Sequence, residues 1–360
     1  MLNPSLRNIN LASEEYKKYA RHLILEQIGV NGQKRLKASK ILFIGAGGLA
    51  SSAILYLIAA GIGSIGVIDD DRVSSSNLNR QILYSQKDIN KMKVDSVKSK
   101  IYNIQPKCKV STYSFKLNKN NSENIIKQYD IIIDTCDNFK TRYIISDSCK
   151  KLHKPHIYGA IDKFQGQISV FNYKDGPKYS ELYPESLKLS HTSCNTGGVL
   201  GFLTGIIGLL QAAEAVKIIL GIREILSGKI LIYNLIESSF KIIHIHTQKI
   251  KEKMNCQQIQ ENAKIINMNR IDSIQMISIT NRIIIDIRGK TEFKKSSIKK
   301  AINISLNRIK SKKAIEFFTK HWKNKILIIY CSNESRSVIA SRILSKRNIN
   351  HYVLMHRMKK

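Results

Sequence analysis

The stretch Ile41–Arg80 constrains this chain more than any other, because it has the order of a βαβ unit with a phosphate-binding turn. The apolar run Ile41–Ile44 leads into Gly45–Ala50, which matches the pattern G-x-G-x-x-G/A. An apolar helical pattern and a second strand, Gly66–Asp69, come next. Backbone N–H groups at such a turn and at the helix N-terminus bind phosphate oxygens. The stretch therefore predicts an open α/β sheet that binds a nucleotide.

The residues after the second strand decide which nucleotide is expected. Asp69 ends that strand, where a dinucleotide-binding protein holds ribose hydroxyls, and alone it would suggest NAD. The segment Val73–Gln81 adds Asn77 and Arg80, and Lys93 lies further on. A redox enzyme has no evident need for these donors. They do suit the charge that develops when a triphosphate reacts, so the order of residues favours ATP over NAD.

A carboxylate follows a third strand of the same predicted sheet. The run Ile131–Asp134 is wholly apolar up to its last residue, as in a buried parallel strand, and Asp137 comes just after it. Ligands bind beyond the carboxyl ends of such strands, and a carboxylate beside a triphosphate suits Mg²⁺. Taken singly, Asp71 and Asn77 could simply cap turns, and Arg80 and Lys93 could be solvated surface in so basic a chain. Their combined order is what favours a site.

Length and pattern predict two domains. A chain of 360 residues exceeds one ordinary domain. Strands and helices alternate up to residue 246, starting with a helix at Ser13–Gln27 for which Ser13 is the expected N-cap. Residues 247–270 are polar and weakly periodic, which indicates a linker, and a second α/β pattern fills residues 271–360. The predicted class is α/β, a mixed Rossmann-like sheet followed by a smaller α/β domain.

The net charge and the cysteines indicate which partners and which compartment to expect. The net charge of +32 would suit nucleic-acid binding, but lysines and arginines are scattered rather than clustered, so we expect no nucleic-acid partner. The six cysteines include no C-x-x-C pair, which indicates a reducing compartment. The apolar stretch Val199–Leu210 becomes polar too soon for a membrane span, and we interpret it as a buried helix with close backbone contacts.

A second reactive position is predicted near the C-terminus. The apolar run Ile326–Tyr330 delivers Cys331 into the polar loop Cys331–Ser337, which precedes a helical pattern. A helix N-terminus and loop N–H groups favour a thiolate or persulfide there, and Arg336 is positioned to hold the loop and its anion. A buried inert thiol at a strand end is the alternative.

The first half of the chain resembles the adenylation domain of the molybdopterin-synthase and thiamine sulfur-carrier adenylyltransferases, relatives of ubiquitin-activating enzymes. The resemblance covers roughly residues 12–246. It is carried by Tyr19–His22, Gly45–Ala50, Asp69–Gln81, Lys93, Asp134–Asn138, Gly166–Ile168 and Gly197–Gly201.

The resemblance implies ATP-dependent adenylation of the C-terminal Gly-Gly of a ubiquitin-like sulfur carrier. It implies a homodimer in which Arg21 reaches the partner's nucleotide, and a Cys194 that forms a thioester or an acyl disulfide or is an inert thiol. The implied nucleotide site comprises Gly45, Gly47, Gly48, Asp69, Asn77, Arg80, Lys93 and Asp137, the last holding Mg²⁺.

One feature departs from that family. Its members usually bind a structural zinc through two C-x-x-C pairs, but the first pair is missing near Lys178 and Glu181, and only Cys256 remains of the second. Four thiolate ligands cannot be assembled, so we expect no structural zinc. His244 and His246 alternate along a predicted strand and are interpreted as ordinary sheet residues.

The C-terminal half resembles a rhodanese domain. Asp286–Arg288, Glu292–Phe293 and Ala301–Ile304 match that family's early motifs, and Cys331–Ser337 matches its active loop. A protein-tyrosine-phosphatase loop also uses Cys and Arg, but the upstream motif favours rhodanese. His351–Lys360 ends before the family's usual final glycine-rich turn and helix, which puts full activity of this domain in question.

Together the two halves predict a fused adenylyltransferase and sulfurtransferase. A persulfide donor such as a cysteine desulfurase would load Cys331, and the carrier would be the molybdopterin synthase small subunit, or one serving thiamine or tRNA thiolation. An NAD-dependent oxidoreductase and a non-catalytic scaffold are the alternatives of a different class. Composition typical of A+T-rich genomes suggests a plastid stroma, or else a bacterial cytoplasm.

Overall fold

A computed structural model describes residue 6 and residues 9–185, 198–245, 263–267, 282–298, 300–321, 325–332, 334–345 and 347–355. The chain divides into two compact units at about Gln248, and each unit contains one β-sheet.

The first unit is an α/β layer structure with eight strands in its described part. The strands are β1 (Lys40–Ile44), β2 (Ser64–Ile68), β3 (Lys109–Tyr113), β4 (Ile131–Asp134), β5 (His156–Asp162), β6 (Gln165–Phe171), β7 (Lys229–Asn234) and β8 (Ser239–His244). The helices are α1 (Ser13–Lys18), α2 (Ala20–Leu23), α3 (Gly29–Ala38), α4 (Gly48–Ala59), α5 (Lys93–Ile104), α6 (Ser122–Ile126), α7 (Phe139–Lys151), α8 (Tyr179–Leu182) and α9 (Gly201–Leu220).

The sheet of this unit is mixed, as the sequence predicted. Its order is β3-β2-β1-β4-β5-β6-β7-β8, parallel through β5 and antiparallel from there on. The central strands are apolar on both faces because helices cover both, and Ile131, Ile132 and Ile133 of β4 are wholly buried. The carboxyl ends of β1, β2 and β4 therefore meet at one edge, which positions the loops that follow them.

Helix α9 is the core helix of the first unit. By length and composition it could cross a membrane, but it packs against α4, β5 and β6. The crossing with α4 is close because glycines line it: a Cβ at Gly208 would lie 2.1 Å from the carbonyl oxygen of Leu49. At the same crossing the Ser52 hydroxyl donates to the carbonyl of Gly205 at 2.9 Å. The structure thus has the buried helix with close backbone contacts that the sequence predicted.

The N-terminal helices differ from the single helix expected at Ser13–Gln27. The helix breaks at Tyr19, which separates α1 from α2, and Ala12 rather than Ser13 occupies the N-cap position. The Glu15 carboxylate accepts the N–H of Ala12 at 2.8 Å, so a first-turn side chain replaces the expected serine cap.

The second unit is a smaller parallel sheet with helices. Its described elements are β9 (Ala263–Asn267), β10 (Arg282–Asp286), α10 (Lys290–Lys295), β11 (Ile302–Asn303), α11 (Lys312–His321), β12 (Ile326–Cys331), α12 (Glu334–Ser345) and β13 (His351–Met355). The strand order is β11-β10-β12-β13-β9. Ile285, Ile329, Phe318 and Leu344 form part of its core.

Two strands of this sheet were not anticipated. Strand β9 lies inside residues 247–270, which we expected to be a linker, and it pairs in parallel with β13. An edge strand five residues long is too short to give a periodic signal in a polar segment. The second sheet therefore begins earlier than residue 271, and β13 lies between β12 and β9 in it.

Candidate functional site

The glycines of the Gly45–Ala50 turn have two different roles. Gly45 has a φ of +101°, and a Cβ there would lie 2.9 Å from the carbonyl oxygen of Thr135. A Cβ at Gly48 would lie 2.9 Å from the Cβ of Thr204 on α9. At Gly47, by contrast, the one neighbour within 4 Å among the described residues is Nε2 of Gln81, at 4.0 Å. The outer glycines permit close packing, and the middle one leaves room for a phosphate to approach the backbone.

Asp69 is built into this turn. Its carboxylate accepts the N–H of Ala46 at 2.7 Å and that of Asp71 at 2.9 Å. Burial raises the pKa of Asp69, and the charge of Lys93 offsets this only in part. The residue expected to hold ribose hydroxyls therefore also fixes the end of β2 against the glycine turn.

Lys93 is a buried cation at the same edge. The residue is 5% exposed, and its Nζ lies 2.7 Å from Oδ2 of Asp71 and 3.8 Å from Oδ1 of Asp69. Asp71, which sequence reasoning treated as a possible turn cap, is instead the carboxylate that orients Lys93. An ammonium has three donors, so donors remain for an anionic ligand.

The loop carrying Asn77 and Arg80 is fixed by its own hydrogen bonds. Asn77 Oδ1 accepts the N–H of Ser74 at 3.2 Å, which leaves its amide N–H₂ group as a donor. Nη1 of Arg80 donates to the carbonyl of Ser76 at 2.8 Å and to Oδ1 of Asn79 at 3.1 Å. In this structure the guanidinium of Arg80 therefore hydrogen-bonds to its own loop.

Asp137 lies in the loop after β4, beside the glycine turn. Thr135, two residues earlier, donates its hydroxyl to the carbonyl of Gly45 at 2.7 Å, which ties this loop to the turn. Asn138 caps α7 by accepting the N–H of Thr141 at 2.9 Å. Asp137 itself is exposed, so its carboxylate is accessible at the edge where the predicted phosphates would lie.

A buried polar network supports that loop, and sequence reasoning missed most of it. The carboxylate of Asp134 lies 3.1 Å from Nε2 of His156 and 3.8 Å from Nε of Arg142, and all three are buried. Burial alone would raise the pKa of Asp134, but the His156 hydrogen bond and the Arg142 charge leave it below its usual value. Nε2 of Gln211 on α9 donates to the Asp134 carbonyl at 2.8 Å. The network thus anchors the loop that carries Asp137.

Arg21 is not brought to this edge within one chain. It is exposed on α2, and Tyr19, two residues earlier, accepts a hydrogen bond from Gln105 and packs against Gly61. Gly61 lies just past the C-terminal end of α4, whereas the glycine turn lies at its N-terminal end. Twelve helical residues separate the two ends by about 18 Å.

Other predicted positions fall outside the described residues, namely Cys194, His246 and Cys256. His244 is exposed at the end of β8. In the part of the chain that the structure describes, no three His, Cys, Asp or Glu side chains are grouped closely enough to hold a metal ion. The absence of a structural zinc stays a prediction. The open space at Gly47 and the accessible Asp137 carboxylate do fit a magnesium-bound triphosphate.

The second unit presents Cys331 at the end of its central strand. Cys331 is the last residue of β12 and is 2% exposed, while Ser332 is exposed and α12 begins at Glu334. The strand thus carries the thiol to the N-terminal end of a helix, where the helix dipole stabilises negative charge.

Arg336 joins this loop to α10. Its Nη1 lies 2.9 Å from Oε2 and 3.2 Å from Oε1 of Glu292. The N–H of Gly289 also donates to Glu292 at 3.0 Å, and this bond, together with Arg336, holds the pKa of Glu292 below its usual value. In this structure Arg336 therefore binds a carboxylate next to the thiol loop.

The motif Asp286–Arg288 braces the strand below Cys331. Nη2 of Arg288 donates to Oδ2 of Asp286 at 2.7 Å, and both residues are buried. The Arg288 guanidinium lies 5.1 Å from the ring centre of Tyr330, the residue before Cys331. The Asp286–Arg288 motif therefore supports the end of the strand that carries Cys331.

Comparison with known proteins identifies a family for each of the two halves of the chain. A model described as the ThiF family matches residues 19–258, two thirds of the chain. The chain belongs to the ThiF family. A second model, described as a rhodanese-like domain, matches residues 270–357. The family and the two-domain α/β fold were therefore predicted correctly.

Two relatives cover both units. A protein of Gracilaria tenuistipitata var. liui named probable molybdopterin-synthase adenylyltransferase is 53% identical, over 97% of this chain and 99% of its own length. A protein of Drosophila persimilis named adenylyltransferase and sulfurtransferase MOCS3 is 32% identical, over 95% of this chain and 82% of its own length. This ThiF-family chain is an adenylyltransferase with a sulfurtransferase domain, and the oxidoreductase and scaffold alternatives lose their support.

Solved structures agree on the fold. The crystal structure of PaaA superposes with a TM-score of 0.57 at 24% identity, covering 68% of this chain and 77% of that one. At that identity the likeness concerns the fold alone.

Proposed function

We propose that the first unit adenylates the C-terminal Gly-Gly of a ubiquitin-like sulfur carrier, the molybdopterin synthase small subunit, and that Cys331 then supplies sulfur. The observation that carries this proposal is the similarity to the Gracilaria protein, which extends through both units at 53% identity. The proposal joins two sites that each have their own structural support.

In the first reaction the carrier carboxylate attacks the α-phosphorus of ATP, and pyrophosphate leaves. Gly47 offers the open backbone position for phosphate, and Lys93 is a buried cation at the same edge. We assign Asp69 and Asn77 to the nucleoside, and Arg80 and Lys93 to the phosphates. Asp137 would hold Mg²⁺, which neutralises phosphate charge when bound.

In the second reaction the outer sulfur of a Cys331 persulfide attacks the acyl carbon of the carrier adenylate, and AMP leaves. The product is an acyl disulfide between carrier and Cys331. A second thiol, from Cys194 or a small-molecule reductant, then attacks the Cys331 sulfur and breaks the S–S bond. The carrier leaves as a thiocarboxylate, and Cys331 remains in a disulfide with that thiol until it is reduced.

We also propose that the chain acts as a homodimer. Large apolar side chains are exposed beside Arg21, with Ile24 82%, Leu25 48% and Val30 39% exposed. Covering them against a second copy would bury apolar surface and carry Arg21 toward the partner. A plastid stroma remains the proposed compartment, which the red-algal origin of the Gracilaria relative supports.

Carrier-dependent exchange of labelled pyrophosphate into ATP tests the proposed function. The chain is mixed with ATP, Mg²⁺ and one purified carrier at a time, from molybdopterin synthase, thiamine synthesis or tRNA thiolation. We expect exchange with the first and none when its last glycine is deleted. Exchange with a different carrier would redirect the pathway, and no exchange with any carrier would overturn the adenylation.

A further inference from the structure

Tyr84 places a buried hydroxyl against the glycine turn, and the chemistry described above does not use it. The residue is 6% exposed and belongs to the same apolar core as Ala46 and Ala50. Its hydroxyl donates to the carbonyl oxygen of Ala46 at 2.7 Å. Its own N–H donates to the carbonyl of Gln81 at 3.1 Å, so the loop after β2 fixes the position of the ring.

This hydrogen bond sets the direction of the peptide group that joins Ala46 to Gly47. In a trans peptide the C=O and the following N–H point in opposite directions, and the described part of the chain has no cis peptide bond. Because the Ala46 carbonyl points at Tyr84, the N–H of Gly47 points away from it. Within the described residues no acceptor binds that N–H. Gly47 therefore has a free donor in the turn that we assign to the phosphates.

The preceding peptide group is fixed by other side chains. The carbonyl of Gly45 accepts the hydroxyl of Thr135 at 2.7 Å, and the N–H of Ala46 donates to Asp69 at 2.7 Å. Those two bonds hold the Gly45–Ala46 peptide at both of its polar atoms. They do not reach the next peptide, whose carbonyl is the group that Tyr84 binds.

The glycine at position 47 makes such a restraint necessary. Turning the Ala46–Gly47 peptide over changes mainly the φ of Gly47, which is −85° here. A glycine tolerates positive φ at little cost, so it does not itself oppose the turned form. That form would point a carbonyl oxygen, not an N–H, toward an anionic ligand. The residue that leaves room for phosphate thus needs another group to orient its amide.

Tyr84 can supply this restraint over a wide pH range. Burial raises the pKa of its hydroxyl, and the negative charge of Asp69 adds to the effect. The hydroxyl therefore stays protonated at neutral pH and keeps its proton for the Ala46 carbonyl.

We propose that Tyr84 is a positioning residue of the adenylation site, whose hydroxyl holds the Ala46–Gly47 peptide so that the Gly47 N–H donates to a phosphate oxygen of ATP. This inference rests on the proposed adenylation function and adds to it a residue that acts on ATP through the backbone.

Tyr84→Phe removes the hydroxyl and keeps the ring. In carrier-dependent pyrophosphate exchange we expect the KM for ATP to rise about fivefold, which is the worth of one hydrogen bond. The KM for the carrier should stay within about twofold of the wild-type value, because the carrier does not depend on this peptide.

The amide resonance of Gly47 reports the orientation directly. Labelling the glycines with ¹⁵N makes it visible, and its loss in Gly47→Ala assigns it. On adding ATP without any carrier, we expect the Gly47 proton to move downfield in the wild-type chain and to lose most of that shift in Tyr84→Phe. A hydroxyl that only stabilised the fold would leave the shift unchanged.

Tyr129→Phe is the matched control. Tyr129 is also a buried tyrosine, but its hydroxyl pairs with that of Tyr113 at 3.1 Å and lies against Gly66 within β2. Both variants lose a buried hydroxyl, so we expect both to lower Tm. Tyr129→Phe should leave the KM for ATP and the Gly47 shift as they are in the wild type.

An unchanged KM for ATP together with a full Gly47 shift in Tyr84→Phe would overturn the inference, and so would a Gly47 resonance that ATP does not move in the wild-type chain. Absence of carrier-dependent exchange in the wild type would instead overturn the proposed function. The Gly47 resonance, measured with ATP alone, then still decides the role of Tyr84.

Discussion

Nε2 of His156 lies 3.1 Å from Oδ2 of Asp134, and both side chains are sealed inside the protein beneath the loop that carries Asp137. With Arg142 at 3.8 Å, the pair makes the end of β4 a rigid support for an exposed carboxylate. The site edge therefore depends on a buried polar network that lies beneath it.

The first prediction concerns acid stability. Burial opposes ionisation of Asp134, yet His156 and Arg142 leave its pKa lowered in the folded state. A lowered carboxyl pKa gives stability that is present above the unfolded value of about 3.9 and is lost as pH falls through the folded value. Asp134→Asn should therefore cost about 3 kcal/mol at pH 7, because it leaves the buried guanidinium of Arg142 without its carboxylate.

Urea unfolding at several pH values measures this effect. The difference in unfolding free energy between wild type and Asp134→Asn should shrink as pH falls below about 4. Asp162→Asn, at an exposed position at the end of β5, serves as the control and should show little difference at any pH. A difference that stays constant down to pH 3 would contradict the assignment.

The second prediction concerns Arg21, which lies at the opposite edge of its own unit from the glycine turn. Arg21→Ala and Lys93→Met should each abolish carrier-dependent exchange as pure proteins. A mixed dimer of the two variants contains one site with its own Lys93 and the partner's Arg21, so it should recover activity. Mixed dimers isolated with two affinity tags provide the measurement, and if they are as inactive as both parents, Arg21 does not act across subunits.

The third prediction separates the two chemistries. Cys331→Ala should keep carrier-dependent pyrophosphate exchange near the wild-type rate and abolish thiocarboxylate formation, because the persulfide sulfur is lost while the adenylation site is unchanged. Cys108→Ala is the control, since burial raises the pKa of the Cys108 thiol to about 11 and leaves it unreactive at neutral pH. Labelled pyrophosphate entering ATP reports the exchange, and the intact mass of the carrier reports the thiocarboxylate. Thiocarboxylate made by Cys331→Ala would show that another thiol carries the sulfur.

The fourth prediction concerns the pair of Glu292 and Arg336. Both side chains are 43% exposed, so the pair contributes less than about 1 kcal/mol to stability. Glu292→Gln should therefore change Tm little and yet slow sulfur transfer several-fold, because Arg336 loses the carboxylate that ties the thiol loop to α10. Glu316→Gln, exposed on α11, is the matched control. Single-turnover transfer from a persulfide-loaded enzyme gives the rate, and equal rates in both variants would exclude a role for the pair.

Local pattern predicted the strands that carry both sites. The apolar run before Gly45 and the run before Cys331 each identify a buried parallel strand, and a loop that follows such a strand lies at the carboxyl edge of the sheet. The same logic could not reveal β9, because a five-residue edge strand in a polar segment has no periodicity of its own. Pairing with β13, far along the chain, is what makes it a strand.

The sequence by itself determined the fold class, the glycine turn at Gly45–Ala50 and the thiol loop at Cys331, because each depends on residues close together in the chain. Tertiary structure decided which side chains meet. It pairs Lys93 with Asp71, packs Thr204 against Gly48, leaves Gly47 open beside Gln81 and puts Arg21 at the far edge. Each of these relations joins residues from different elements, as where α9 packs on α4, so it is set by long-range packing that no local pattern encodes.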